Sequence, residues 1–238
     1  MRETDLSDGT HRPTRDRNPD SAAASGVSFG GLPNGVRFEL DPARDFIANA
    51  VREYDRCLDS RDADGVPSHL PRASGLLFGV VDSAEIVIRE VEFVANVRDR
   101  DEGVIAEFET NIAARFGDVY RNPGRGFWCD ESSVLRAVQR HSTDGLDLLG
   151  SVHSHPNWHE IGPPWERSQK LSENPTQMDD YLFRQSGWPV NIIWYVHTCD
   201  GTVAHRVAGW RAGLEDCTRL DLSIPATFCS DHTVETVA

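Results

Sequence analysis

Residues 146–156 read Leu-Asp-Leu-Leu-Gly-Ser-Val-His-Ser-His-Pro, an apolar run that delivers two histidines and then a proline. Leu146 to Val152 reads as a buried strand, and on a strand the side chains at i and i+2 point to one face. His153 and His155 therefore share a face, with Ser154 turned to the other. Two neutral imidazoles side by side make half of a tetrahedral zinc site. Gly150 lets neighbouring backbone approach closely, and Pro156 ends the ladder where a ligand loop must leave the sheet. The segment that follows offers carboxylates at Asp179 and Asp180, and Pro175-Thr176-Gln177-Met178-Asp179 sets a hydroxyl three residues before the first of them.

Three protein ligands with one open position is the arrangement of a hydrolytic zinc centre, not of a closed structural one. Such an ion polarises a carbonyl oxygen and lowers the pKa of water, so amide hydrolysis is the natural reaction. A His₂Asp set also accepts other divalent ions.

His153-Ser154-His155-Pro156 and Thr176-Gln177-Met178-Asp179 together resemble the JAMM (MPN+/JAB) metalloprotease motif, His-x-His-Pro followed by Ser-x-x-Asp. The resemblance extends over residues 40–211. Gly75-Leu76-Leu77-Phe78-Gly79 is similar to the family's Gly-Leu-Leu-x-Gly first core strand, and Glu85 to Val97 to the next strand. Phe127-Trp128-Cys129-Asp130 with Val134, Leu135 and Val138 looks like the helix before the metal strand. Trp188 to Val196 looks like the strand after the ligand loop, and Val203 to Trp210 like its hairpin partner. The resemblance implies an α/β (α+β) fold: an MPN/JAB-like (cytidine-deaminase-like) mixed sheet flanked by helices, in a single domain with a long insertion in the ligand loop. It implies Zn2+ as cofactor, His153, His155 and Asp179 as its ligands, and Thr176 as the donor to the developing oxyanion. As substrate it implies the C-terminal tail of a ubiquitin-like or sulfur-carrier protein, cut at a peptide or isopeptide bond. Nothing in the residues themselves identifies that partner.

Two departures from the family pattern matter. Asn157 to Pro175 is far longer than the family's usual spacing between proline and serine. An exposed loop of that length costs little stability and suits a lid or a substrate groove. More serious, Arg72 occupies the place of the family's catalytic glutamate, and an arginine is always charged and accepts no proton. If the hairpin turns symmetrically at Asp82-Ser83, Arg72 faces Phe93, and Glu90 and Glu92 point to the other face of the sheet. The insertion supplies Glu160, Glu166 and Glu173, and Glu160, directly after His159, is the first choice for a replacement base. The competing reading is a catalytically inactive MPN-fold module that binds a protein partner, with Arg72 marking the lost base.

Other His-x-His enzymes fit worse. A metallo-β-lactamase-like site wants an aspartate where Asn157 stands, an amidohydrolase barrel wants a longer core of about 250 residues, and a cupin would lack the amphipathic helices. The 238 residues suit one core with tails. The net charge of −14 argues against general nucleic-acid binding, because phosphate would be repelled. Five scattered cysteines without a Cys-x-x-Cys pair read as free thiols of a reducing compartment. No apolar signal core or spanning run is visible, so the expectation is a cytoplasmic protein without membrane contact; a homodimer is left open.

Residues 1–33 mix Arg, Asp, Ser, Thr, Pro and Gly without periodicity and read as a disordered tail, followed by the domain at 34–212. Asp41-Pro42 reads as a helix start, with Phe46, Ile47, Ala50, Val51, Tyr54, Cys57 and Leu58 forming one apolar stripe. Asp130 reads as the cap of a helix to about His141, with Glu131 well placed in its first turn. Residues 213–238 read as a tail that docks in part through Leu220, Leu222, Ile224 and Phe228. Trp158, Trp165 and Trp188 surround the insertion, either lining a cleft or packing the loop down.

Overall fold

A computed structural model describes residues 31–168, 175–199, 202–213, 216–225 and 233–236. Most of the expected disordered tail, together with Glu173, the Asp200-Gly201 turn and Phe228, lies outside the described residues. The elements in order are β1 (Gly35–Phe38), α1 (Leu40–Asp59), β2 (Ser74–Val81), β3 (Ile86–Glu92), α2 (Glu102–Glu107), α3 (Ala113–Phe116), α4 (Glu131–Thr143), β4 (Asp147–Pro156), α5 (Trp158–Ile161), α6 (Gln177–Ser186), β5 (Val190–Cys199), β6 (Thr202–Ala212), β7 (Cys217–Ser223) and β8 (Thr233–Thr236). A π-helical turn, Phe108–Ile112, joins α2 to α3.

The strands run β5-β4-β2-β3-β1-β7-β6, and β6 pairs again with β5. The sheet is thus a closed, mixed barrel of seven strands, and the expected open MPN-like sheet flanked by helices is not what forms. Closure comes from two segments whose sequence gives little sign of it. The four-residue β1 lies parallel to both β3 and β7. Residues 217–223, expected as part of a docking tail, are the strand that bridges β1 and β6. An open sheet leaves two rows of unpaired backbone groups; joining them satisfies both rows. β8 pairs with the other half of β6 beside β7.

Strand alternation then sorts the side chains. Leu77, Val152, Ile192 and Trp194 face the barrel interior and share one buried cluster with Phe46, Ile47, Ala50, Tyr54 and Cys57 of α1. The predicted stripe is that core face. Leu76 and Phe78, on the outer face, are covered by Ala137 and neighbours of α4, and Ile193 is covered by Phe183 of α6. Asp130 caps α4 as read, its carboxylate accepting from the Ser133 amide.

The β2–β3 hairpin differs from the symmetrical reading. Asp82 accepts from the amides of Ala84 and Glu85, so the turn spans four residues, and a bulge lies between Phe78 and Gly79. Leu76 therefore faces Glu92, and β3 ends before reaching Arg72. Glu92 turns to the outer face, where Arg140 and His141 of α4 engage it. Phe93 stacks on Phe46 instead of facing Arg72.

Gly150 is where β4 meets β5 most closely: a Cβ there would lie 1.6 Å from the Val190 carbonyl oxygen. The parallel pair cannot spread without moving the histidines along β4. Gly150→Ala is expected to cost about 3 kcal/mol or more through this overlap with backbone. Urea unfolding measures it, and a loss below about 1 kcal/mol would mean the pair is not held this tightly.

Candidate metal centre

The centre forms where β4 ends and α6 begins. Pairing of β4 with β2 and β5 sets His153 opposite Ser74 and Ile193, which fixes the histidine face on the outside of the barrel. Asp179 arrives from α6. Thr176 caps that helix, its hydroxyl accepting from the Asp179 amide at 3.2 Å, while the Asp179 carboxylate accepts from the Thr176 amide at 2.8 Å. This reciprocal capping box locks Asp179 in the third helical position with its side chain turned back toward the strand end.

Three candidate ligands of two types converge there. Nε2 of His153 and Nε2 of His155 are 3.0 Å apart. Asp179 Oδ1 lies 3.3 Å from the first and Oδ2 3.4 Å from the second. All three ligand atoms fall within 4.8 Å of one another, the one such cluster among the described residues. Asp179 and His155 are buried and His153 is half-buried.

The electrostatics favour the ligand protonation states. Burial pushes the Asp179 carboxyl up, but His155 and His153 outweigh it and hold the group well below the usual carboxylate range. Its place in the first turn of α6 adds the positive end of the helix dipole. Burial lowers the His153 pKa, with the Asp179 hydrogen bond opposing in part, so the imidazole is neutral at pH 7. An ionised carboxylate and a neutral imidazole are the forms that bind a divalent ion. Nδ1 of His155 is buried without a hydrogen-bond partner, and so is the Tyr195 hydroxyl, whose ring meets the imidazole edge-on at 5.6 Å. A metal-ligating histidine ordinarily donates from its second nitrogen, and here that nitrogen has no acceptor among the described residues. The residues fit a cation of zinc's kind.

The sequence-derived candidates fare differently. His153, His155 and Asp179 are together. Thr176 is beside them, but its hydroxyl donates to Asp179 Oδ2 at 2.6 Å. That commits it to orienting the carboxylate and leaves no proton for an oxyanion. Glu160 does not line the metal cavity. It accepts from Asn157 Nδ2 at 2.6 Å, pairs with His159, and borders a separate cavity of about 280 Å³ on the far side of His155. Glu166, another carboxylate of the insertion, is buried. It binds Arg125 and accepts from Trp158 Nε1 at 3.1 Å. Arg125 also lies over the Trp158 ring, and burial lowers its guanidinium to about 10. These contacts pin the loop after β4, so Trp158 packs the loop down while Trp165 is exposed.

On its open side the triad borders a cavity of about 600 Å³ between α4, α6 and the loop before β2. Arg72 stands on its wall, paired with Asp99 at 2.8 Å. Among the described residues the acids lining this cavity are Asp179 and Glu131. Glu131 is the one that sequence reasoning missed as a site residue. Its position after a helix cap marks it as dipole-favourable, and no spacing rule links it to the histidines. Cys129 also lines the cavity, with burial pushing its thiol up to about 12, which keeps it protonated and a poor ligand near neutral pH. No helix among the described residues is long and apolar enough to cross a membrane.

Neither a family profile nor a curated protein matches the chain. Two solution structures are similar in part. A Desulfitobacterium hafniense protein aligns with TM-score 0.45 at 15% identity, over 80% of this chain and 92% of its own. A Salinibacter ruber protein aligns with TM-score 0.34 at 16% identity, over 74% and 88% respectively. At these scores the likeness carries no argument about fold or function.

Thr176→Val removes the cap and the carboxylate's hydrogen bond. It is expected to cost about 1 kcal/mol in urea unfolding and to weaken zinc binding about ten- to a hundredfold in chelator competition. Thr176→Ser should retain both. Unchanged zinc affinity in the valine variant would mean that the hydroxyl does not position Asp179.

Proposed function

We propose that the chain is a metal-dependent hydrolase of amide bonds, of the peptidase or isopeptidase type, with Zn2+ held by His153, His155 and Asp179. The observation that carries this is the convergence of two imidazoles and one carboxylate at the edge of a cavity large enough for a substrate. Zinc, when bound, supplies a Lewis acid and a lowered pKa for water. The JAMM-like spacing of His153, His155, Thr176 and Asp179 supports the same chemistry, and it makes the C-terminal tail of a ubiquitin-like or sulfur-carrier protein the first substrate to try.

The chain's residues divide the remaining work. Thr176 orients Asp179 and takes no direct part in the reaction. Arg72 and Arg125 line the cavity but are paired with Asp99 and Glu166, so neither is assigned to the developing oxyanion. Glu131 is the lining carboxylate not used as a ligand, so it is assigned the proton transfer to the leaving amine. Glu160, across His155, is not.

The second reading, a binding module that has lost its base, is favoured by one observation: Arg72 lies in the cavity, tied to Asp99. The test is hydrolysis of a coumarin amide at the C-terminus of a ubiquitin-like protein by zinc-loaded chain. Release above the Asp179→Ala background is expected. Glu131→Gln should lower it about a hundredfold or more, and Glu160→Ala should leave it within about threefold, as for a carboxylate outside proton-transfer reach. Release no faster than in Asp179→Ala overturns the hydrolase reading in favour of the binding module.

A further inference from the structure

The metal cavity is two-natured. Polar groups line it around His153, His155 and Asp179 and again at Arg72, Glu131 and Gln185, while apolar side chains from three segments make up most of the lining. Val134 and Leu135 come from α4, Leu182 and Phe183 from α6, and Trp188 from the loop before β5. Leu135 is 58% exposed, and here it is one wall of a continuous apolar surface, not an isolated surface leucine.

The two arginines bordering the cavity already have partners. Arg72 is paired with Asp99, and Arg125 with Glu166. On the floor, the Ser151 hydroxyl donates to Asn191 Oδ1 at 3.3 Å. A strongly polar occupant would have to break these pairs and would leave the apolar walls wet. An apolar occupant leaves the pairs intact and removes those walls from water, which is favourable by about 25 cal/mol per Å². A volume of about 600 Å³ is in the range of sites that enclose a whole small molecule or several side chains.

We infer that the cavity is a hydrophobic subsite, and that the substrate sets an aromatic or branched aliphatic group beside the amide to be cut. This rests on the metal-hydrolase reading and narrows its substrate class to amides flanked by a bulky apolar group. Such a group has two sources, an apolar residue of a peptide or the acyl part of a small amide.

The test uses hydroxamates, which bind zinc directly, titrated into the zinc-loaded full chain by calorimetry. Acetohydroxamate, phenylacetohydroxamate and the hydroxamate of acetyl-Gly-Phe are the probes. The phenyl compounds are expected to bind at least tenfold tighter than acetohydroxamate, and Leu135→Asp, a change at an exposed helix position, should abolish most of that gain while zinc stays bound. Tighter binding of the dipeptide than of phenylacetohydroxamate assigns the peptide source, and equal binding assigns the small amide. Equal affinity for the acetyl and phenylacetyl compounds overturns the subsite while leaving the metal centre standing. If no hydroxamate binds, the metal reading fails, and phenylacetamide titrated into the same chain by NMR decides the subsite alone. Saturable binding that Leu135→Asp weakens upholds it, and no binding overturns it.

Discussion

The parallel pairing of β4 with β5 is the constraint on which the rest of the molecule turns. Two parallel neighbours cannot be joined by a hairpin, so the chain must leave β4 at one end of the barrel and return to the other to begin β5. The return runs through the loop after Pro156 and then α6. The crossover puts the C-terminal end of β4 and the N-terminal end of α6 at the same edge, where a strand delivers side chains and a helix delivers its positive dipole end. His153, His155 and Asp179 meet there because of that topology, although more than twenty residues separate the aspartate from the nearer histidine. The same edge is where parallel strand–helix units commonly place their ligands.

Local interactions convert this topology into a defined geometry. Gly150 lets β4 and β5 close up and so sets how far the histidines project. The capping box of α6 aims the Asp179 carboxylate, which an uncapped helix end would leave free to rotate. The buried Arg125–Glu166 pair, with Trp158 beneath it, holds the long loop down beside the site. A buried pair of this kind contributes little net stability but is costly to break on one side, which suits it to fixing a single loop arrangement.

The convergence of His153, His155 and Asp179 was legible because its signals are short in range. Alternation along 146–156 puts both histidines on one face whatever the strand pairs with, and the spacing of Thr176 and Asp179 is that of a helix cap. The apolar stripe of α1 and the cap at Asp130 were readable for the same reason. Barrel closure was not, because it depends on β1, four residues long, and on 217–223, where Thr218, Arg219 and Asp221 dilute the apolar residues. What makes those segments strands is the pair of unsatisfied edges waiting for them, a property of the assembled sheet. The hairpin register failed at two places: Asp82 binds two amides and widens the turn, and the bulge between Phe78 and Gly79 shifts the pairs behind it once more. The role of Thr176 also needed coordinates, since a hydroxyl three residues before a carboxylate serves a helix cap and an oxyanion equally well on paper.

The account stands on the proposal that zinc binds at His153, His155 and Asp179. X-ray absorption at the zinc edge, on protein loaded with one equivalent, reads them directly. It should give a shell of nitrogen and oxygen at about 2.0–2.2 Å with the outer scattering of two imidazoles and no sulfur. A sulfur neighbour at about 2.3 Å, or an all-oxygen shell without imidazole scattering, would place the ion elsewhere and remove the basis for a hydrolytic centre at the end of β4.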